Sequence, residues 1–283
     1  MERQVLGLGA VLADAQRHAA AALDAAGVRV EVVTGARELA EVAELFVRIW
    51  GSGAGQPPLA ADVMCAVAHA GGAVHAAYAG DRLAGAATAF FGPPESASVY
   101  SYIAGAHASD RGVGYGLKLA QRAWALDHGA RTMRWTFDPL VSRNGRFNLV
   151  KLGAVANEYT VDFYGPLPDG TNTGDETDRL TACWLLDGNR ASTAAEDALP
   201  VPGGPPAAIE RGAPDGGPLT ARDERGRWCR VPTDILTVRR ASPDLAARWR
   251  FAVREVMTEA LADGLTATGV TRDGWYLFTE EAR

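Results

Sequence analysis

The chain is short of lysine: Lys118 and Lys151 are the only two in 283 residues, and arginine supplies the rest of the positive charge. With 28 basic residues against 34 acidic ones the formal net charge is -6. No basic run gathers anywhere, which excludes the clustered positive footprint of a nucleic-acid binder. Cysteine is scarce too. Cys65, Cys183 and Cys229 are odd in number and far apart, with no Cys-x-x-Cys and no His-rich cluster. That pattern gives no disulfide framework and no metal site, and it fits reduced thiols in a cytoplasmic protein. No apolar run approaches the roughly 20 residues of a membrane helix. The opening stretch MERQVLGLGAVLADAQRHAAAALDAAG carries Glu2, Asp14 and Asp24 and lacks a continuous apolar centre. It therefore reads as an extra helix over 1–27 rather than a signal peptide.

What is present is ordinary globular composition, 47% hydrophobic and 22% charged. VRVEVVT (28–34) alternates like a strand, and ARELAEVAELFVRIWG (36–51) repeats apolar residues on one helical face. A second helix is expected over 57–72, opened by prolines and closed by glycines. Two apolar stretches around Gly80-Asp81-Arg82 predict a hairpin over 73–92. SVYSYIAGAHA (98–108) is a third strand, followed by a glycine stretch and a helix to His128. TMRWTF (132–137) is a buried strand, 142–154 a short helix, and 155–165 a strand. The order implies a mixed sheet with helices on both faces. Residues 166–227 are rich in Pro, Gly and charge and read as a long irregular connection. Residues 228–283 read as strand, helix and strand, with the first strand over 231–238.

Between strand and helix lies Arg111-Gly112-Val113-Gly114-Tyr115-Gly116. The first N–H groups of a helix have no partner inside it and carry the positive end of its dipole. Glycines let those groups converge on an anion, commonly a pyrophosphate. A P-loop would need a hydroxyl after Lys118, and the sequence has Leu119. A dinucleotide fingerprint would need a third glycine at 117, and the sequence has Leu117. Arg/Gln-x-x-Gly-x-Gly/Ala fits at all three fixed positions: Arg111, Gly114 and Gly116.

This last pattern resembles the coenzyme A loop of the GNAT acyltransferase superfamily. The element order from about 28 to 165 resembles the GNAT order. Lys151-Leu152-Gly153-Ala154 after Ser142-Arg143-Asn144 resembles that family's final helix, and WTFDPLVSRNGRFNLVKLGA resembles a GNAT subgroup with a C-terminal extension. The resemblance implies an α/β fold with a mostly antiparallel sheet splayed between the 98–108 and 132–137 strands. It implies a core over 28–165 and a C-terminal extension that packs on it and shapes the acceptor pocket or forms a homodimer surface. It also implies acetyl-CoA or another acyl-CoA as co-substrate, with no metal, and a small-molecule amine as acceptor. Ala104, Gly105 and Ala106 would bond the pantetheine arm, Arg111, Gly112, Val113, Gly114, Tyr115 and Gly116 would hold the pyrophosphate, and Asn144 would border the arm.

Attack on a thioester needs a neutral amine, whose free pKa of ~10.4 asks for a base or a water relay. A backbone N–H near Ala106 would polarise the carbonyl. His107, Asp138 and Glu158 are the candidate bases. Where many relatives place an acidic tyrosine, this chain has Leu149. Tyr159 or Tyr164 would then serve, or the thiolate would leave unaided. Trp124 and Trp135 read as core, and His69, His75 and His128 as surface or packing residues. The polar run Thr171 to Arg179 reads either as a border of the acceptor site or as a plain loop. Two other readings stand beside the transferase: a non-catalytic module that senses acyl-CoA or holds a protein partner, and a nicotinamide-dependent enzyme.

Overall fold

The computed structural model describes residues 7–51, 57–165, 175–205 and 209–280. The chain divides into two units, one of residues 1–135 with 185–192 and one of 136–184 with 193–283. The fold is mixed α/β with mostly antiparallel strands. Among the described residues no helix is long and apolar enough to cross a membrane.

The first unit contains α1 (Leu8–Ala26), β1 (Arg29–Val32), α2 (Ala36–Trp50), α3 (Ala61–His69), β2 (Ala73–Ala79), β3 (Arg82–Phe91), β4 (Ser98–Ala106) and α4 (Val113–Asp127). The unit boundary falls inside β5 (Thr132–Phe137). Strands β1 to β4 pair antiparallel in sequence order, and β5 joins β4 in parallel. Alternation along β2 sends side chains to opposite faces. Val74, Ala76 and Tyr78 meet Leu39, Val42, Leu45 and Phe46 of α2, while Ala77 meets Val113 and Leu117 of α4 on the other face. Fully burying a side chain such as Leu39 or Phe46 contributes about 1.5–3 kcal/mol. Alanines at 76, 77, 84, 86, 87 and 89 keep the sheet thin, so both helices sit close to it. Helix α1 packs against α4.

The second unit contains α5 (Ser142–Arg146), which runs into a π-helical turn over 147–151, then β6 (Val155–Thr160) and β7 (Arg179–Leu185). Helix α6 (Asn189–Ala195) spans the next unit boundary. After it come β8 (Ile209–Gly212), β9 (Pro218–Asp223), β10 (Gly226–Arg230), α7 (Ile235–Ala241), α8 (Pro243–Ala262), β11 (Leu265–Val270) and β12 (Trp275–Glu280). The strand order is β7-β6-β11-β12-β10-β9-β8, antiparallel throughout. Trp249, Val253 and Met257 of α8 are buried, as are Trp228, Trp275 and Leu277 of the sheet. Tyr276 donates its O–H to the Pro139 carbonyl at 2.9 Å. Its oxygen would lie 2.1 Å from a Cβ at position 145, which is why Gly145 has none.

Three expectations are corrected. Residues 166–227 are no irregular connection where they are described: β7, α6, β8, β9 and the start of β10 lie there. Gly216 takes φ +84° between β8 and β9, and Asp223 accepts the Arg225 N–H in the turn into β10. The expected strand over 231–238 is a helix from Ile235, because Asp234 caps it, accepting from the Thr237 N–H at 3.1 Å and hydroxyl at 2.7 Å. The final strand is a hairpin, β11 and β12, turned at Gly274 with φ +82°. The first boundary between the two units lies at 135/136.

Candidate functional site

The glycine stretch sits where the sequence puts it, between β4 and α4. It is anchored at both ends. His107 donates its N–H to the Ala84 carbonyl at 3.2 Å, and Asp110 accepts both ends of the Arg82 guanidinium at 2.8 and 2.9 Å. That fork fixes the geometry of the turn. Gly112 precedes the helix at φ +87°, the left-handed region that suits glycine. The N–H of Val113 goes to the Asp110 carbonyl at 3.4 Å and that of Gly116 to the Gly112 carbonyl at 2.9 Å. Among the described residues, the N–H groups of Gly112 and Gly114 have no backbone acceptor. Arg111 is exposed beside them.

The expected six-residue cradle therefore divides. Val113 is 1% exposed and packs into the apolar layer on β2 and β3, so its side chain belongs to the core. A Cβ added at Gly116 would lie 2.8 Å from Leu23 Cδ2, and one at Gly112 would lie 3.3 Å from the Ala26 Cβ. Both glycines thus admit α1. Gly114 differs: a Cβ there would meet nothing within 4 Å. Arg111, Gly112 and Gly114 are the part of the loop open to an anion, and Tyr115 is half-buried beside them.

Strand β4 brings a second feature. Its ladder to β5 covers three pairs, Ser98–Thr132 to Tyr100–Arg134. β4 runs on through Ala104, Gly105 and Ala106, paired to Ala87, Ala86 and Gly85 of β3 on its other edge. The register slips near Tyr102: Ser101 pairs with Ala89, and Ile103 with Thr88. Such a bulge bends a strand and often ends a pairing. Alternate N–H and C=O groups of Ser101–Ala106 face the edge that β5 has left. Gly105 itself is explained by packing, since its Cβ would stand 2.4 Å from the Trp50 ring.

Beneath α4 the sequence hid a polar cluster. Lys118 is 5% exposed; its Nζ donates to the Ser101 hydroxyl at 2.8 Å and lies 3.9 Å from the centre of the Trp135 ring. Ser101 in turn donates to Gln121 Oε1 at 3.0 Å. Burial without a carboxylate pulls the ammonium down to about 7. His75, edge-on to Trp124 at 5.5 Å, has no hydrogen-bond partner for either ring nitrogen. Burial first, then the charges of Lys118 and His128, lower it to about 4. Lys118, Gln121 and Arg122 are polar residues on the face of α4 that the fold buries.

The other catalytic candidates lie in the second unit, apart from half-buried His107 in the first. Asp138 is corrected as a base. Arg250 reaches it at 2.8 and 3.0 Å and Arg239 at 2.7 Å, and both arginines also hold Asp175. Burial alone would raise the Asp138 carboxyl, but the two guanidiniums hold it well below the usual carboxylate range. A carboxylate so bound does not take protons near neutrality. Tyr159 donates to Asp178 at 2.6 Å, and burial together with that bond pushes its phenol far up, away from the role of an acid. Asp178 and Glu176 pair with Arg254. Asp175, Glu176 and Asp178 of the polar run are thus part of an ion-pair network; 171–174 lie outside the described residues. Glu158 and Asn144 are exposed. Leu149 is fully buried, a core residue on the π-helical turn. Tyr164, exposed, meets the Thr136 hydroxyl at 3.2 Å.

No protein-family model and no curated protein matches the chain. Among solved structures it is similar to an acetyltransferase from Bacillus subtilis in complex with CoA, at 20% identity and TM-score 0.39. It is similar also to an N-acetyltransferase from Staphylococcus aureus at 16% and 0.44, and to an acetyltransferase of the GNAT family from Streptococcus pneumoniae at 12% and 0.44. Each likeness covers 56% of this chain and 98% of the other.

Proposed function

We propose that the chain is an acyl-CoA-dependent N-acyltransferase, most simply an acetyltransferase, acting on the amine of a small molecule. The observation that carries this reading is the start of α4. Gly112 and Gly114 leave their N–H groups without a backbone acceptor, Gly114 borders open space, and Arg111 stands exposed at the entrance. Oriented amides at a helix N-terminus suit a phosphate, so these residues fit the diphosphate of coenzyme A. The edge of β4 that β5 leaves after Tyr100 offers main-chain groups to an extended amide-bearing arm, as a strand edge does to a peptide.

The acyl-CoA would supply the activated thioester, whose C–S bond breaks as the amide C–N bond forms, with coenzyme A leaving as its thiolate. The chain's own part is to hold the diphosphate at Arg111–Gly114, to align the arm on Ala104–Ala106, and to take the proton that the amine sheds. His107, at the end of β4, is the candidate for that proton, since a neutral imidazole offers one ring nitrogen as acceptor.

A thermal-shift titration tests the reading. Coenzyme A and acetyl-CoA are expected to raise the melting temperature, and Gly114→Glu to abolish the shift. Because the site of that Cβ is open, the variant should fold, so loss of the shift reports on binding. No shift in wild type at millimolar ligand overturns the proposal. The binding-only reading is favoured by buried Leu149 and by the commitment of the Tyr159 hydroxyl to Asp178. Thiol release from acetyl-CoA across an amine library decides between the two, because turnover with any acceptor removes the second.

A further inference from the structure

A cleft of about 270 Å³ in the second unit is lined by Arg146, Lys151 and Arg272, with Asp197 as its carboxylate and Leu199 and Val201 as apolar wall. None of these lining residues belongs to the α4 loop or to the candidate catalytic set. We propose that it binds a small organic anion, a phosphate or carboxylate head on a short apolar body.

The backbone builds the cationic side. In an α-helix residues five apart point to different sides, but in an i→i+5 turn they stack. The Leu152 N–H bonds the Phe147 carbonyl at 3.0 Å, five residues back, so the helix is widened over this stretch. That widening lets Arg146 and Lys151 line one cleft. Single π turns of this kind occur frequently at functional sites. Arg272, from the β11–β12 turn, is the third cation.

The charges do not balance. Three cations face one carboxylate, Asp197, which Lys151 holds at 2.5 Å. That bond, with the charges of Lys151 and Arg146, keeps the Asp197 carboxyl below its ordinary range. Arg146 is left with its Nε buried and without a hydrogen-bond partner. A buried donor with no acceptor is left unsatisfied by the protein alone. The volume lies just under the range for drug-sized ligands, so the occupant is small. Asp197 then acts as an internal competitor, occupying a cation that the anion would take.

The test is isothermal titration at fixed ionic strength with phenyl phosphate, benzoate and inorganic phosphate, run in the Gly114→Glu background so that the α4 loop adds nothing. Saturable binding of phenyl phosphate or benzoate at one site per chain is expected, with Kd near or below about 1 mM. Which of the two binds identifies the head group, and a weaker fit of inorganic phosphate identifies the apolar body. Lys151→Ala and Arg272→Ala should each weaken binding about tenfold, the scale of one charged hydrogen bond. Asp197→Asn should tighten it. Both exposed-side variants should melt as the parent does. Absence of saturation for all three probes, binding indifferent to Lys151→Ala and Arg272→Ala, or weaker binding in Asp197→Asn overturns the proposal, whatever coenzyme A does in the wild type.

Discussion

Lys118→Met tests the physics of the buried cluster under α4. The ammonium has a hydroxyl and an indole face as its neighbours but no counter-charge. Its pKa falls from 10.5 to about 7 through burial. A displacement of that size corresponds to roughly 3–5 kcal/mol at 1.36 kcal/mol per unit. The folded pKa lies below the unfolded one, so between pH 7 and 10.5 the unfolded chain binds more protons than the native one. Stability therefore rises with pH across that window, and below it the full penalty of the buried charge applies. Methionine keeps the volume and removes the charge, at the loss of one hydrogen bond and one cation–π contact. The variant is expected to gain roughly 1–3 kcal/mol at pH 6 and little above pH 10.

Two measurements check this. With only two lysines in the chain, selective labelling of lysine at 13Cε gives two resonances, and Lys151→Arg assigns them. The Lys118 resonance should titrate near 7. Urea unfolding at a series of pH values should show stability rising through that window in wild type and flat in Lys118→Met. A Lys118 resonance that titrates at the ordinary lysine value, with parallel stability curves, would refute the account.

Three further outcomes follow from other contacts. Asp138→Asn should leave Arg239 and Arg250 partly uncompensated and destabilise the chain by about 3–5 kcal/mol in urea unfolding; a well-folded variant that loses only turnover would restore Asp138 as a base. The His75 ring, lowered from 6.5 to about 4, binds fewer protons folded than unfolded, so stability should fall as pH drops through that interval by ~3 kcal/mol. His75→Phe, keeping a ring against Trp124, should flatten that loss. Gly145→Ala places a methyl against the Tyr276 hydroxyl and should cost about 1–3 kcal/mol. Tyr276→Phe in the same chain should recover part of it, and strictly additive effects would argue against the contact.

Much of the first unit was legible because its signals are local. The apolar face of α2 and the Gly80 turn between β2 and β3 are set by neighbours within a few positions, as in the second unit is the Ser242 cap of α8, whose hydroxyl accepts from the Leu245 N–H at 3.3 Å. The rest of the second unit defeated the same rules. Pro and Gly between 199 and 227 signal turns correctly, but their density concealed the short strands between them. Asp138 followed a strand and preceded a proline, as a base or a turn residue would. What decides its role is Arg239 and Arg250, 101 and 112 positions downstream. No spacing rule reaches that far. Lys118 was unreadable for another reason: a lysine within a helix is ordinarily solvated, and only the sheet on one side with Trp135 above shows that this one is not.

The glycines between 105 and 116 separate by what stands opposite them. Gly105 faces Trp50, Gly112 adopts a left-handed backbone beside Ala26, and Gly116 faces Leu23. Each is accounted for by the protein alone. Gly114 has an open Cβ position and lies in the first turn of a helix, where alanine would be better by about 0.5–1 kcal/mol. Packing gives no reason for glycine there, and neither does φ, which is not positive. A requirement that acts only when something approaches the backbone does. The proposed anion site is therefore smaller than the six-residue motif suggests: it would rest on Gly114, the Gly112 amide and Arg111, while the rest of the motif seats α4 between α1 and the sheet.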